Sequence, residues 1–232
     1  MLDEAFEALK TYDWGTDPKV LLPIDEAVVA TYGKADARKD LEAKLAAVLT
    51  TGVSRDAKDY ACRKLMLIGT VQSVPVLAGL LPDKDLSHMA RYALERIPES
   101  EAGQALRDAL PKVSGTTQVG VIGSLGVRRD TASVPALAAL LINADASVAR
   151  AAAIALGDIG TAEAAKALAD GKPTTPEAAQ AATDANLACA EDLLASGKKA
   201  EALAIYKSLA GENQPKLVRV AAKRGMLACA AK

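Results

Sequence analysis

Residues Ser133-Val-Pro-Ala-Leu-Ala-Ala-Leu-Leu141 repeat, almost letter for letter, residues Ser73-Val-Pro-Val-Leu-Ala-Gly-Leu-Leu81, sixty positions earlier. Sixty is two periods of about thirty, so a degenerate copy should lie between them. Glu101-Ala-Gly-Gln-Ala-Leu-Arg-Asp-Ala-Leu110 fills that place. Aligned on the central leucine, the copies give Leu77, Leu106 and Leu137, and Leu168 continues the series. A sustained period of this length marks stacked helical hairpins.

A second pattern follows each copy, with apolar or small residues at positions 0, 4, 7, 8 and 11. Its best example is Val148, Ala152, Ala155, Leu156 and Ile159. It recurs from Ala57, Leu86, Thr117, Ala178 and Val218. On a helix these positions share one stripe about 100° wide. A small residue at position 4 lets neighbouring helices approach, and large ones at 8 and 11 fill the layer between them. One hairpin cannot bury such faces alone, and stacking completes the core. Asp145, Asp85 and Ser114 stand where N-caps belong, and Gly69, Gly160, Gly197 and Gly211 stand where helices should end. Pro75 and Pro135 fall in first turns, where a missing N–H does no harm.

The expectation is an all-α fold, a right-handed α-solenoid of twelve to fourteen helices without a sheet. Residues 1–33 read as an N-terminal helical cap and residues 34–232 as about six repeats in one continuous solenoid. Trp14, in the turn Thr11-Tyr-Asp-Trp-Gly-Thr-Asp-Pro18, reads as a plug between cap and first repeat. The stretches Asp145-Ala-Ser-Val-Ala-Arg-Ala-Ala-Ala-Ile-Ala-Leu-Gly-Asp-Ile-Gly160 and Leu217-Val-Arg-Val-Ala-Ala222 resemble the short HEAT-like repeats of many bacterial proteins. The same type occurs in phycobilisome-lyase modules. The resemblance covers about residues 34–232. In the last pair, Ala202-Leu-Ala-Ile-Tyr-Lys-Ser-Leu209 looks like a tetratricopeptide first helix.

Half the residues are hydrophobic but only 3% are aromatic, so Ala, Leu and Val must supply the core. That mix favours closely packed helices over strands. The net charge of −1 lacks the basic excess of a nucleic-acid binder. No run reaches the roughly 18 apolar residues of a membrane span. The acidic start Met-Leu-Asp-Glu-Ala is not a signal peptide, and the compartment stays open. Cys62, Cys189 and Cys229 match no metal spacing and read as small buried residues.

Chemistry is thin. His88 is the only histidine, which leaves no obvious metal set and one location at most for a His-dependent nucleophile. Gly120, Gly123 and Gly126 lie within a helical pattern, where close packing explains them better than phosphate binding. No catalytic residue, metal ligand or cofactor site is read. A lyase-like or ligand-processing enzyme using the groove, bilin lyase among them, is the alternative that the repeat resemblance implies, and it carries over no residue.

In HEAT-like solenoids the second helices line the concave surface, which the resemblance implies here. Positions 2 and 6 of each second helix then form its ridge. With their neighbours these give Asp59, Arg63, His88, Arg91, Tyr92, Arg150, Ile154, Asp184 and Arg224 as candidate partner-binding residues. Charges flanking a smoother middle suit a peptide or protein partner rather than a phosphate track. Finally, Leu217, Val220 and Leu227 lie off the inward stripe of the last helix and are also apolar. A helix apolar nearly all round expects cover on more than one side. The expectation at this end is further repeats or a homotypic contact.

Overall fold

Every copy of the second-helix stripe forms a helix and buries most of that stripe. Val148, Ala152, Ala155, Leu156 and Ile159 are all buried, as are Ala57, Ala61, Leu65 and Ile68 in the first copy. The central leucines Leu77, Leu106, Leu137 and Leu168 of the preceding helices are buried too. The computed structural model describes residues 1–231, and among them there are fourteen α-helices, four short 3-10 turns and no strand. The fold is therefore all-α, and its helices follow the solenoid pattern of paired repeats. Among the described residues no helix is long and apolar enough to cross a membrane.

The chain divides into two compact units, Met1–Val113 and the residues from Ser114 onward. The first holds α1 (Leu2–Lys10), α2 (Leu22–Ala30), α3 (Ala35–Leu49), α4 (Arg55–Ile68), α5 (Val74–Leu80), α6 (Ser87–Arg96) and α7 (Ser100–Ala109). The second holds α8 (Gly115–Val127), α9 (Val134–Leu140), α10 (Ala146–Ile159), α11 (Ala162–Asp170), α12 (Pro176–Ala195), α13 (Lys199–Leu209) and α14 (Lys216–Ala230). The division falls within the degenerate copy, between its first helix and its second.

In the first unit α4 packs against α3 and α6, and α2 packs against α4. Polar clamps fix these contacts. Lys64 stands where other copies are small, and its Nζ reaches Asp25 Oδ1 at 2.6 Å, tying α4 to α2. Tyr60 donates to the same carboxylate at 2.7 Å. Burial alone would raise the Asp25 carboxyl, but the hydrogen bonds from Lys64 and Tyr60 hold it below its usual value. On α3 the buried Glu42 accepts from Thr70 N and from the hydroxyls of Thr70 and Ser73. Those bonds supply what a buried carboxylate needs and pin the turn into α5.

In the second unit α10 lies between α8 and α12, with α9 and α11 against it, and α13 and α14 close on α12. Asp145 caps α10, accepting from Ser147 N at 2.8 Å. Gly160 ends α10 in the left-handed region at φ 67°, where a side chain would be strained. Pro75 and Pro135 sit in the first turns of α5 and α9.

Some expectations need correction. Trp14 is no plug: it is 92% exposed. Tyr12 takes the inner position, 6.3 Å from the Tyr60 ring, and its carbonyl accepts from Ser54 Oγ. Asp83, not Asp85, serves the start of α6, accepting from Asp85 N and Leu86 N. Cys62 and Cys189 are buried, but Cys229 is only half-buried.

Position 8 carries Leu65, Leu94, Leu125 and Leu156, all fully buried. In α12 that position is Asn186, 6% exposed, and its Oδ1 has no hydrogen-bond partner. It lines a groove of about 330 Å³ between α11 and α13. A buried, unpaired amide oxygen costs free energy that leucine would not. Asn186→Leu should therefore raise the unfolding free energy by about 1 kcal/mol or more in urea denaturation. An unchanged or lowered midpoint would contradict this reading of the layer.

Burial pushes the Cys62 and Cys189 thiols up to about 12, so the folded chain holds them protonated. With a thiol-reactive probe, Cys229 should label first, and Cys62 and Cys189 only on unfolding. Because the unfolded thiols ionise near the usual 9.0, stability should decline as pH rises above that value.

Candidate functional site

The nine ridge residues fall on exposed or half-exposed second-helix faces, and the structure gathers most of them into two separate grooves. In the first unit, Asp59 and Arg63 of α4 and His88 and Tyr92 of α6 line one groove of about 330 Å³, with Lys64, Met66, Leu67 and Met89. The spacing explains the gathering: positions 2 and 6 are one turn apart, so each pair projects from the same side of its helix. Arg63 Nε donates to Asp59 Oδ2 at 2.8 Å. The His88 ring stands edge-on to Tyr92, centroids 4.7 Å apart. Its Nδ1 lies 3.2 Å from Arg91 Nη2, so Arg91 backs the histidine. Met66, Leu67 and Met89 give the groove its apolar lining, and its charged residues are of both signs.

In the second unit, Arg150 and Ile154 of α10 and Asp184 of α12 line a groove of similar size, with Asp158, Glu177 and Gln180. Gln180 donates to both carboxylate oxygens of Asp184 at 3.0 Å. This groove is richer in carboxylates, and its apolar content is Ile154 with small alanines. Arg224, on α14, lines neither groove.

A larger cleft, about 920 Å³, was not expected from the sequence. It lies in the first unit among α2, α3 and the end of α4, lined by Val28, Val29, Tyr32, Leu67 and Ile68 on its apolar side and by Lys34, Arg38 and Lys39 on its basic side. Arg38 Nε donates to Ile68 O at 2.8 Å. The apolar run Val28–Val29 followed by Tyr32 and Lys34 was a signal, since Val29 on α2 and Tyr32 just beyond its end are exposed. Nothing in a helical period marks Glu42 or Arg38 as the residues that shape its floor.

Among the described residues no group of three or more His, Cys, Asp and Glu side chains could hold a metal ion. Asp59 shares a groove with His88 but is engaged by Arg63.

Residues 113–188, which span α8 to most of α12, match the family model described as HEAT repeats. No curated protein sequence matches the chain. Among solved structures, that of human deoxyhypusine hydroxylase in complex with glycerol is similar over 100% of this chain and 96% of that one, at 16% identity and a TM-score of 0.39. The stretch 113–188 is thus similar to HEAT repeats in sequence, and it takes in α8, α9, α10, α11 and most of α12.

Proposed function

We propose that this chain is a non-catalytic interaction scaffold that binds a peptide or protein segment along its second-helix faces. The observation that carries the reading is the first-unit groove. An exposed aromatic, Tyr92, braced edge-on by His88, shares the groove with Met66, Leu67 and Met89 and with Arg63, Lys64 and Asp59. Aromatic and arginine side chains are the usual anchors of protein interfaces, and methionine adapts to varied apolar partners. Sequence similarity to HEAT repeats in the second unit supports the same class of function. The charged rim sets orientation and register of a bound segment more than its affinity.

A peptide-display selection against the immobilised chain tests the proposal. Enriched peptides should carry an apolar anchor. Their binding should fall at least tenfold with Tyr92→Ala, a loss of about 1.4 kcal/mol, while His88→Ala keeps the fold. Arg150→Glu should affect only peptides read by the second-unit groove. Enriched peptides that bind wild type and Tyr92→Ala alike, or no enrichment, would count against the reading.

A further inference from the structure

The charge of this chain is separated by position. Residues 1–33 carry seven carboxylates against two lysines, and residues 198–232 carry eight lysines and arginines against two glutamates. The two segments hold α1 and α2, and α13 and α14, and α2 and α14 each leave an apolar stripe uncovered.

On α14, Val218, Ala222 and Gly225 are buried. Leu217, Val220 and Leu227 lie on the other side and are exposed, Leu227 at 74%. Arg224 sits within that stripe, Lys216, Arg219 and Lys223 flank it, and α14 contains no carboxylate. On α2, Ile24 and Val28 are buried, and Asp25 is held by Lys64. The outer stripe is Leu22, Glu26, Val29 and Tyr32, with Val29 at 75% exposure. Each stripe holds three apolar residues and one charge, and the charges are opposite.

Both are second helices. Second helices of successive hairpins run the same way, and within the chain α12 packs against α14 and α2 against α4. A copy placed so that its α2 lies parallel to α14 of its neighbour continues that row. The basic first half of α14 then meets Glu26 of α2. The last turn of α14, which carries no charge after Arg224, meets Tyr32 and the Lys34 and Lys39 side of the α2 cleft. Those lysines favour the negative end of a helix dipole. A contact of α14 with a second α14 would set like charges together.

We infer that this chain associates head to tail with further copies of itself, α14 of one copy docking on α2 of the next. Such a contact is heterologous, using one α2 face and one α14 face per copy, so assembly does not stop at two unless the ring closes. Opposite charges speed the encounter and set the register, and burial of Leu227 against Val29 supplies the apolar core.

Sedimentation velocity over a concentration series tests this with two surface variants. Val29→Lys places a cation on the α2 face, and Leu227→Lys places one on the α14 face, so the two altered faces repel each other. Both positions are exposed, so circular dichroism should show native helix in each. Wild type should grow in mass with concentration, and less so in high salt. Each variant alone should sediment as a single chain. Their equimolar mixture should form a two-chain species, because one variant retains a good α14 and the other a good α2. Wild type that stays a single chain at every concentration overturns the inference. So does either variant associating alone as wild type does, or a mixture of two folded variants that fails to pair.

Discussion

The second unit depends on how closely its second helices approach one another. A methyl group built on Gly157 of α10 would lie 2.8 Å from the Ala185 Cβ and 3.0 Å from its Cα on α12. One built on Gly126 of α8 would lie 3.0 Å from the Ala155 Cα on α10. These neighbours are backbone and backbone-proximal atoms that cannot swing aside. Helices pack this closely only where both surfaces lack bulk, and interiors at that density respond to a single methylene. In the repeat register a glycine at position 9 meets an alanine at position 7 of the next helix in both contacts. The first unit has Met66 and Glu95 at position 9 and is held instead by polar clamps: Lys64 to Asp25 and Glu42 to Thr70 and Ser73.

This division of labour shapes what the surface can do. Where position 9 is glycine, the helices close up and positions 2 and 6 form a shallow rim of Arg150, Ile154 and Asp184. Where Met66 takes that position, the groove is lined by Met66, Leu67 and Met89 together with His88 and Tyr92. On α2 and α14, Val29, Leu217 and Leu227 remain exposed.

Much of this was legible in the residues. The period of about thirty and the five-position stripe gave the helices, and the ridge positions fell where two grooves form, because helical geometry alone decides which side chains share a face. What remained hidden depends on contacts between distant residues. Glu42 looks like an ordinary polar position on α3, yet it is buried because Thr70 and Ser73 satisfy it. Trp14 looks like a plug by its size, but Tyr12 occupies that place. Asn186 follows the leucine register in position but not in chemistry, and only the structure shows its unpaired oxygen. The large cleft beside α2 arises from Arg38 and Glu42 shaping the turn after α4, which no periodicity records.

The most direct test of the close-approach account compares two glycine-to-alanine changes on second helices of the same unit. Gly123 on α8 has nothing within 4 Å of an added methyl group, whereas Gly157 on α10 meets Ala185. Both changes gain about 1 kcal/mol of helix propensity, so their difference isolates the contact. In urea denaturation, Gly123→Ala should raise the unfolding midpoint, and Gly157→Ala should fall below wild type as overpacking costs about 1–3 kcal/mol. A Gly157→Ala midpoint that rises with that of Gly123→Ala would show that α10 and α12 are not in the contact on which this account rests.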